Sequence, residues 1–183
     1  MLAAQGAAIA FIPLWVWVAK KLDKRRAFIW GSLSWVVVLL GIYALAPEQL
    51  GLAYVLSALA GSGIATAYVI PWAMVPDVVE YDQVRTGQRR EGSYYAFASF
   101  FQKLATGGAL WAMGMALSST GYITPAMNWP LPQQPVEAVN AIRFFVGPVP
   151  AVLLILAIAC AWFYPITREH HQATLAALAE KEN

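Results

Sequence analysis

LGLAYVLSALAGSGIATAYVIPWAMV, residues 50–75, runs for 26 residues without a charge. A helix needs about 20 mostly apolar residues to cross a hydrocarbon core roughly 30 Å thick, and this stretch exceeds that length. It lacks the period-two alternation of a membrane barrel strand, so Leu50–Val75 reads as a membrane helix. Working outward, four more stretches reach or approach the required length: Leu2–Ala19, Ala27–Ala46, Gly92–Ser118 and Phe144–Tyr164. The expected fold is an all-α integral membrane bundle of about five transmembrane helices. Its membrane domain would occupy residues 1–166, and residues 167–183 would form a plain cytoplasmic tail.

Composition supports this reading. The chain is 60% hydrophobic and 12% charged, against about 45–50% and about 25% in an ordinary soluble domain. Its mean hydropathy is +0.56. A formal charge of +2 is too small for a nucleic-acid footprint. Cys160 is the single cysteine, which removes an internal disulfide scaffold.

The connectors set the orientation. Lys20, Lys21, Lys24, Arg25 and Arg26 lie between the first two spans. Arg85, Arg89 and Arg90 lie between the third and fourth, and Arg168 and Lys181 lie in the tail. On the other side, the segment Ala46-Pro47-Glu48-Gln49 and the loop Thr120–Arg143 contribute Arg143 alone. Ten cations face one, which places the basic loops and the C-terminus in the cytoplasm of a plasma membrane, a bacterial inner membrane. The first span then starts outside, with no basic segment before it. An odd number of spans with an external start predicts a piece of a longer transporter. The loop Thr120–Arg143 carries Pro125, Pro130, Pro132 and Pro135 and is expected to lack regular structure.

Lys103 is the one full charge deep in a span. A lysine at the bilayer centre costs about 2.5–3.5 kcal/mol on insertion scales, so it must face protein or water. The helical period places Tyr95, Ser99, Gln102 and Thr106 on its face. Hydroxyls, an amide and an ammonium along one stripe suit a hydrated cavity that binds substrate hydroxyls or exchanges with a cation. The competing reading is a lysine tied structurally to a carboxylate elsewhere. Tyr68 and Trp72, one turn apart near the end of the third span, are either cavity walls or interface anchors. Gly61, Ser62 and Gly63 allow close helix approach. Pro71 and Pro76 break the hydrogen-bond ladder and mark a flexing point at the cytoplasmic mouth.

Asp77–Glu91 reads as a loop that holds Asp77, Glu80, Asp82, Arg85, Arg89 and Arg90 around the turn residue Gly87. No nucleophile–base pair or metal-ligand spacing accompanies the carboxylates, and His170 and His171 are adjacent in the tail. Ion pairs that latch helix ends are the expected role and solvated charges the alternative. Neither an enzyme nor a metal site is expected.

Pro71-Trp72-Ala73-Met74-Val75-Pro76-Asp77-Val78-Val79-Glu80-Tyr81-Asp82, followed by Arg85-Thr86-Gly87-Gln88-Arg89-Arg90-Glu91-Gly92, resembles the glycoside–pentoside–hexuronide:cation symporters. These form the melibiose-permease-like branch of the major facilitator superfamily. Phe101-Gln102-Lys103-Leu104, Ser119-Thr120-Gly121-Tyr122 and Tyr164-Pro165-Ile166-Thr167-Arg168-Glu169 continue the resemblance along the chain. It implies helices eight to twelve of a twelve-helix transporter, a C-terminal bundle whose partner is the missing N-terminal half. It further implies that Lys103 and Ser99 stand beside the cation and sugar sites and that Tyr68 replaces a cavity tryptophan. Asp77, Glu80 and Arg89 fall on a cytoplasmic ion-pair network.

The implied function is sugar symport by alternating access. The coupling ion would be Na+ or H+, held mainly by the missing half, with no further cofactor. Two rivals are a lysolipid-type carrier, which shares the Pro-Trp-x-Met-x-Pro-Asp pattern, and a non-transporting membrane subunit. The expected partners are a small-molecule substrate and the lipid bilayer, not nucleic acid.

Overall fold

The computed structural model describes residues 2–46, 48–124 and 132–182, and among them the chain is helical with no strand. In order come α1 (Leu2–Lys21), α2 (Lys24–Ala44), α3 (Leu50–Thr86), α4 (Glu91–Ser119), α5 (Val136–Val146), α6 (Pro148–Trp162) and α7 (Arg168–Glu182). Helix α3 is the hub: α1 and α2 pack along it, α6 packs on α2, and α7 sits on its far end. Pro125, Pro130 and the side chain of Lys181 lie outside the described residues.

Small residues let these helices meet. A Cβ on Gly61 would strike the Ala4 carbonyl and Ala7 of α1, and one on Gly63 would overlap the Trp35 ring of α2. Gly31 of α2 faces Thr66 in the same way. Trp15 Nε1 donates to Ser62 Oγ at 3.0 Å, tying α1 to α3 between the two glycine contacts. Gly61-Ser62-Gly63 is thus the close-approach segment that its residue types predict.

The structure corrects several expected boundaries. Helix α3 does not stop near Val75. It continues through Pro71 and Pro76 to Thr86 and ends where Gly87 adopts φ +71°, its N–H bonded to the Gln83 carbonyl. Burial of Asp77 and Val79 holds this segment in helical form despite the prolines. Asp77, Glu80, Asp82 and Arg85, expected on a loop, therefore stand on a helix, while Arg89 and Arg90 lie in the connection to α4. At about 1.5 Å per residue, the 37 residues of α3 extend about 55 Å, well beyond a core of roughly 30 Å. The extension carries Asp77 onward out of the apolar zone.

The loop expected over Thr120–Arg143 also shortens. Pro135 precedes the first turn of α5, Glu137 lies in that turn, and the helix axis then breaks at Gly147 before Pro148 opens α6. A Cβ at Gly147 would approach Tyr43 Cβ to 2.7 Å, so the crossing with α2 requires glycine. Finally, the tail is an ordered helix, α7, with Thr174 buried against the rest; the contacts of Arg168 and His171 hold it there, and local pattern alone does not reveal them.

Among the described residues, three segments are long and apolar enough to cross a membrane: Lys24–Ala44, Leu50–Thr86 and Val136–Trp162. Helix α4 falls short of that standard because Gln102, Lys103 and several hydroxyls dilute it. Helix α4 has no buried residue, and Phe97, Phe100, Phe101, Leu104, Leu110 and Trp111 are all exposed. Water does not tolerate such a face; lipid or more protein covers it.

Candidate functional site

The charged residues gather where α1, α2, α3, α6 and α7 end together. Asp77 is buried, and Lys24 Nζ reaches both of its carboxylate oxygens, at 2.7 and 2.8 Å. The third proton of the ammonium goes to the Ala73 carbonyl at 2.8 Å. That carbonyl lies in the turn where Pro76 has removed a backbone donor, so all three lysine donors are used. Glu80 stands one turn beyond Asp77 on the same face. His171 of α7 faces both, its Nδ1 3.6 Å from Asp77 Oδ1 and 3.5 Å from Glu80 Oε2. Neither Glu80 Oε2 nor His171 Nδ1 has a hydrogen bond among the described residues, although both atoms are buried. These oxygens and nitrogen lie within 4.8 Å of one another, but the Lys24 ammonium already fills the cation position on Asp77.

Around this centre the remaining charges pair locally. Arg90 Nε meets Asp82 Oδ2 at 3.3 Å, and Arg89 Nε meets Glu91 Oε2 at 3.2 Å. Arg85 lies over the Tyr81 ring, whose edge contacts His170. Arg89, expected beside Asp77 and Glu80, instead joins its near neighbour; both partners are about half exposed, which makes the pair weak. Tyr164, two residues past the end of α6 and outside the spanning segment, points a buried hydroxyl toward this end without a hydrogen-bond partner among the described residues. Burial raises its pKa well above the ordinary tyrosine value, and the charges of Asp77 and Asp23 raise it further.

The stripe on α4 is a separate feature. Trp72 of α3 stacks on Tyr95 of α4 with ring centroids 6.1 Å apart and planes 9° from parallel. Ser99 is half-buried, while Gln102, Lys103 and Thr106 are exposed on α4 and Tyr68 is exposed on α3. Thr106 Oγ1 donates to the Gln102 carbonyl at 2.9 Å. Lys103 has no ion pair or hydrogen bond among the described residues, so the structural tie considered above is not made among them.

Sequence reasoning missed Lys24 as the partner of Asp77 and His171 as the third member of the cluster. It also missed Arg143, which at the opposite end donates to the carbonyls of Tyr43 and Leu45 and caps α2. No local pattern signals any of these, since each partner lies far along the chain.

Residues 1–168 match the family described as MFS/sugar transport protein. The chain belongs to that family. Its relatives include an uncharacterized symporter of Synechocystis sp., 42% identical over 93% of this chain and 31% of that protein. The sodium-dependent lysophosphatidylcholine symporter 1-B of Danio rerio is 33% identical over 93% of the chain and 32% of its own length. A sphingosine-1-phosphate transporter of Xenopus tropicalis is 31% identical over 94% and 32%. The chain spans about a third of the length of these curated relatives. They are membrane transporters of the major facilitator type, not enzymes, and the helical bundle described above is of that kind.

Proposed function

We propose that this MFS chain is the C-terminal part of a cation-coupled symporter that works by alternating access, two helical bundles rocking about a midplane site. One observation carries the proposal. The helix ends on the basic side are locked by a buried Lys24–Asp77 pair outside the apolar zone, while Lys103 on α4 stands on an exposed face with no ion pair among the described residues. The first arrangement suits a cytoplasmic gate, and the second suits a cavity completed by another bundle. Lys103, Ser99, Gln102, Tyr95 and Thr106 would line that cavity, with Tyr68 and Trp72 as its wall. Asp77, Glu80, Asp82, Arg85, Arg89 and Arg90 would belong to the gate. Na+ or H+ would drive transport.

For the substrate we favour a lysolipid-type amphiphile. Lysophosphatidylcholine and sphingosine-1-phosphate carriers stand among the relatives, and Lys103 is flanked by exposed Phe100, Phe101 and Leu104. A cation among apolar side chains accommodates a phosphate next to a hydrocarbon chain. The second reading is a sugar, favoured by the resemblance of residues 71–92 to the melibiose-permease-like branch.

Uptake into vesicles carrying the complete reading frame, driven separately by sodium and proton gradients, decides between them. Labelled lysophospholipid should accumulate, and competing glycosides, pentosides and hexuronides should leave it unchanged. Uptake of a glycoside instead would establish the sugar reading. Lys103→Ala should abolish coupled uptake while membrane insertion persists; normal cation-driven uptake by that variant would sink the cavity assignment.

A further inference from the structure

We propose that the crevice between the start of α2, the end of α6 and the start of α7 binds the headgroup of an anionic membrane phospholipid. This needs only that the chain sits in a bilayer, whatever it transports. The crevice encloses ≈ 550 Å³ and is lined by Arg25, Arg26 and Arg168 together with Leu22, Ile29 and Trp162. Helices α2 and α6 pack side by side, and both belong to segments able to cross the membrane. Their shared end is therefore where hydrocarbon gives way to headgroups. Trp162 and Phe163 mark that level: they are 63% and 83% exposed, as aromatic side chains are at a membrane border.

The three guanidinium groups keep capacity for a phosphate. Arg25 is positioned by the Trp162 ring, 5.4 Å away, and by the Tyr164 carbonyl at 3.4 Å. Arg168 gives one N–H to the Lys20 carbonyl at 3.1 Å. Arg26 is exposed with no ion pair or hydrogen bond among the described residues. A guanidinium carries five donors in a planar fork that matches phosphate oxygens, so even the two engaged arginines retain most of theirs.

Asp23 and Glu169 also line the crevice. Three cations against two carboxylates leave one positive charge, which matches the single charge of a phosphodiester. The carboxylates also disfavour a small free anion, which has no apolar contact to offset their repulsion. A phospholipid does have that contact, because Ile29, about one turn further into α2 than Arg25 and Arg26, lines the crevice on the side where an acyl chain would begin. Basic pockets between spanning helices at the cytoplasmic face are suited to such headgroups.

Native mass spectrometry of the purified protein in mild detergent tests the assignment, with phosphatidylglycerol, phosphatidylcholine and inorganic phosphate as probes. Phosphatidylglycerol should be retained with a preference of roughly fivefold or more over phosphatidylcholine. The double variant Arg26→Gln/Arg168→Gln should lose that preference. Lys21→Gln/Arg89→Gln, which removes the same charge from exposed positions outside the crevice, should keep it. Where the double variant does not fold, Arg26→Gln alone is read, because that side chain is exposed and makes no ion pair or hydrogen bond among the described residues. Equal retention of the two lipids overturns the proposal, as does a preference that survives loss of the arginines. Displacement of phosphatidylglycerol by millimolar inorganic phosphate would assign the crevice to a free anion instead.

Discussion

Removing Lys24 should destabilise this protein more than removing the charge of Asp77, although the two form one ion pair. The asymmetry follows from burial: the side chain of Asp77 is 6% exposed and that of Lys24 is 32% exposed. In Lys24→Met the carboxylate keeps its dry position and loses both ammonium contacts. Breaking a buried pair from one side costs about 3–5 kcal/mol. The expected loss is therefore about 3 kcal/mol. In Asp77→Asn the lysine keeps the Ala73 carbonyl, can bond the new amide oxygen, and already touches water, so about 1–2 kcal/mol is expected.

The double variant Lys24→Met/Asp77→Asn leaves no buried charge and should cost about as much as Asp77→Asn alone, a coupling of about 2 kcal/mol or more. Unfolding in mixed micelles, followed by tryptophan fluorescence, measures all three variants. Additive losses in the double variant, or a Lys24→Met cost no larger than that of Asp77→Asn, would refute the reasoning.

Further outcomes are expected. Gly63→Ala should lower stability by about 1–3 kcal/mol because the new methyl meets the Trp35 ring. Gly41→Ala, whose methyl would sit 3.5 Å from Leu56 in ordinary contact, should instead raise it by about 0.5–1 kcal/mol; the same unfolding assay checks both. Arg143→Ala uncaps the C-terminus of α2 and should cost about 0.5–2 kcal/mol, with faster amide hydrogen exchange confined to its last turn. Tyr164→Phe should be neutral or stabilising near pH 7, because it removes a buried hydroxyl that has no partner among the described residues. The raised pKa of Tyr164 makes a complementary statement about alkaline pH. A folded value above the unfolded one contributes stability that is complete below the ordinary tyrosine range and is lost as pH rises through the folded value. The wild type should therefore lose stability more steeply than Tyr164→Phe once pH exceeds about 10.

Features that depend on local composition were legible without coordinates. Run length and apolar content are summed along the chain, so Leu50–Val75 announces a membrane helix whatever it packs against. The charge asymmetry is likewise local, and the structure gathers Lys24, Arg25 and Arg168 at one end of the bundle while Arg143 caps the other. Small residues at Gly61 and Gly63 foretell close packing because nothing larger fits between helix axes at that distance.

What tertiary structure alone decided concerns ends and partners. Pro76 marks a flexing point where the apolar run ends, yet burying Asp77 and Val79 against neighbouring elements outweighs the lost backbone bond and extends the helix to Thr86. A charged tail segment became α7 because His171 faces Asp77 and Glu80, and Arg168 reaches Lys20. The pairing of Lys24 with Asp77 spans 53 residues. Five cations crowd the first connector, and their sequence neighbours do not distinguish them. Only the crossing of α2 over α3 puts Lys24, and not Arg25 or Arg26, within reach of a carboxylate that has left water; the other two turn toward the crevice beside Trp162.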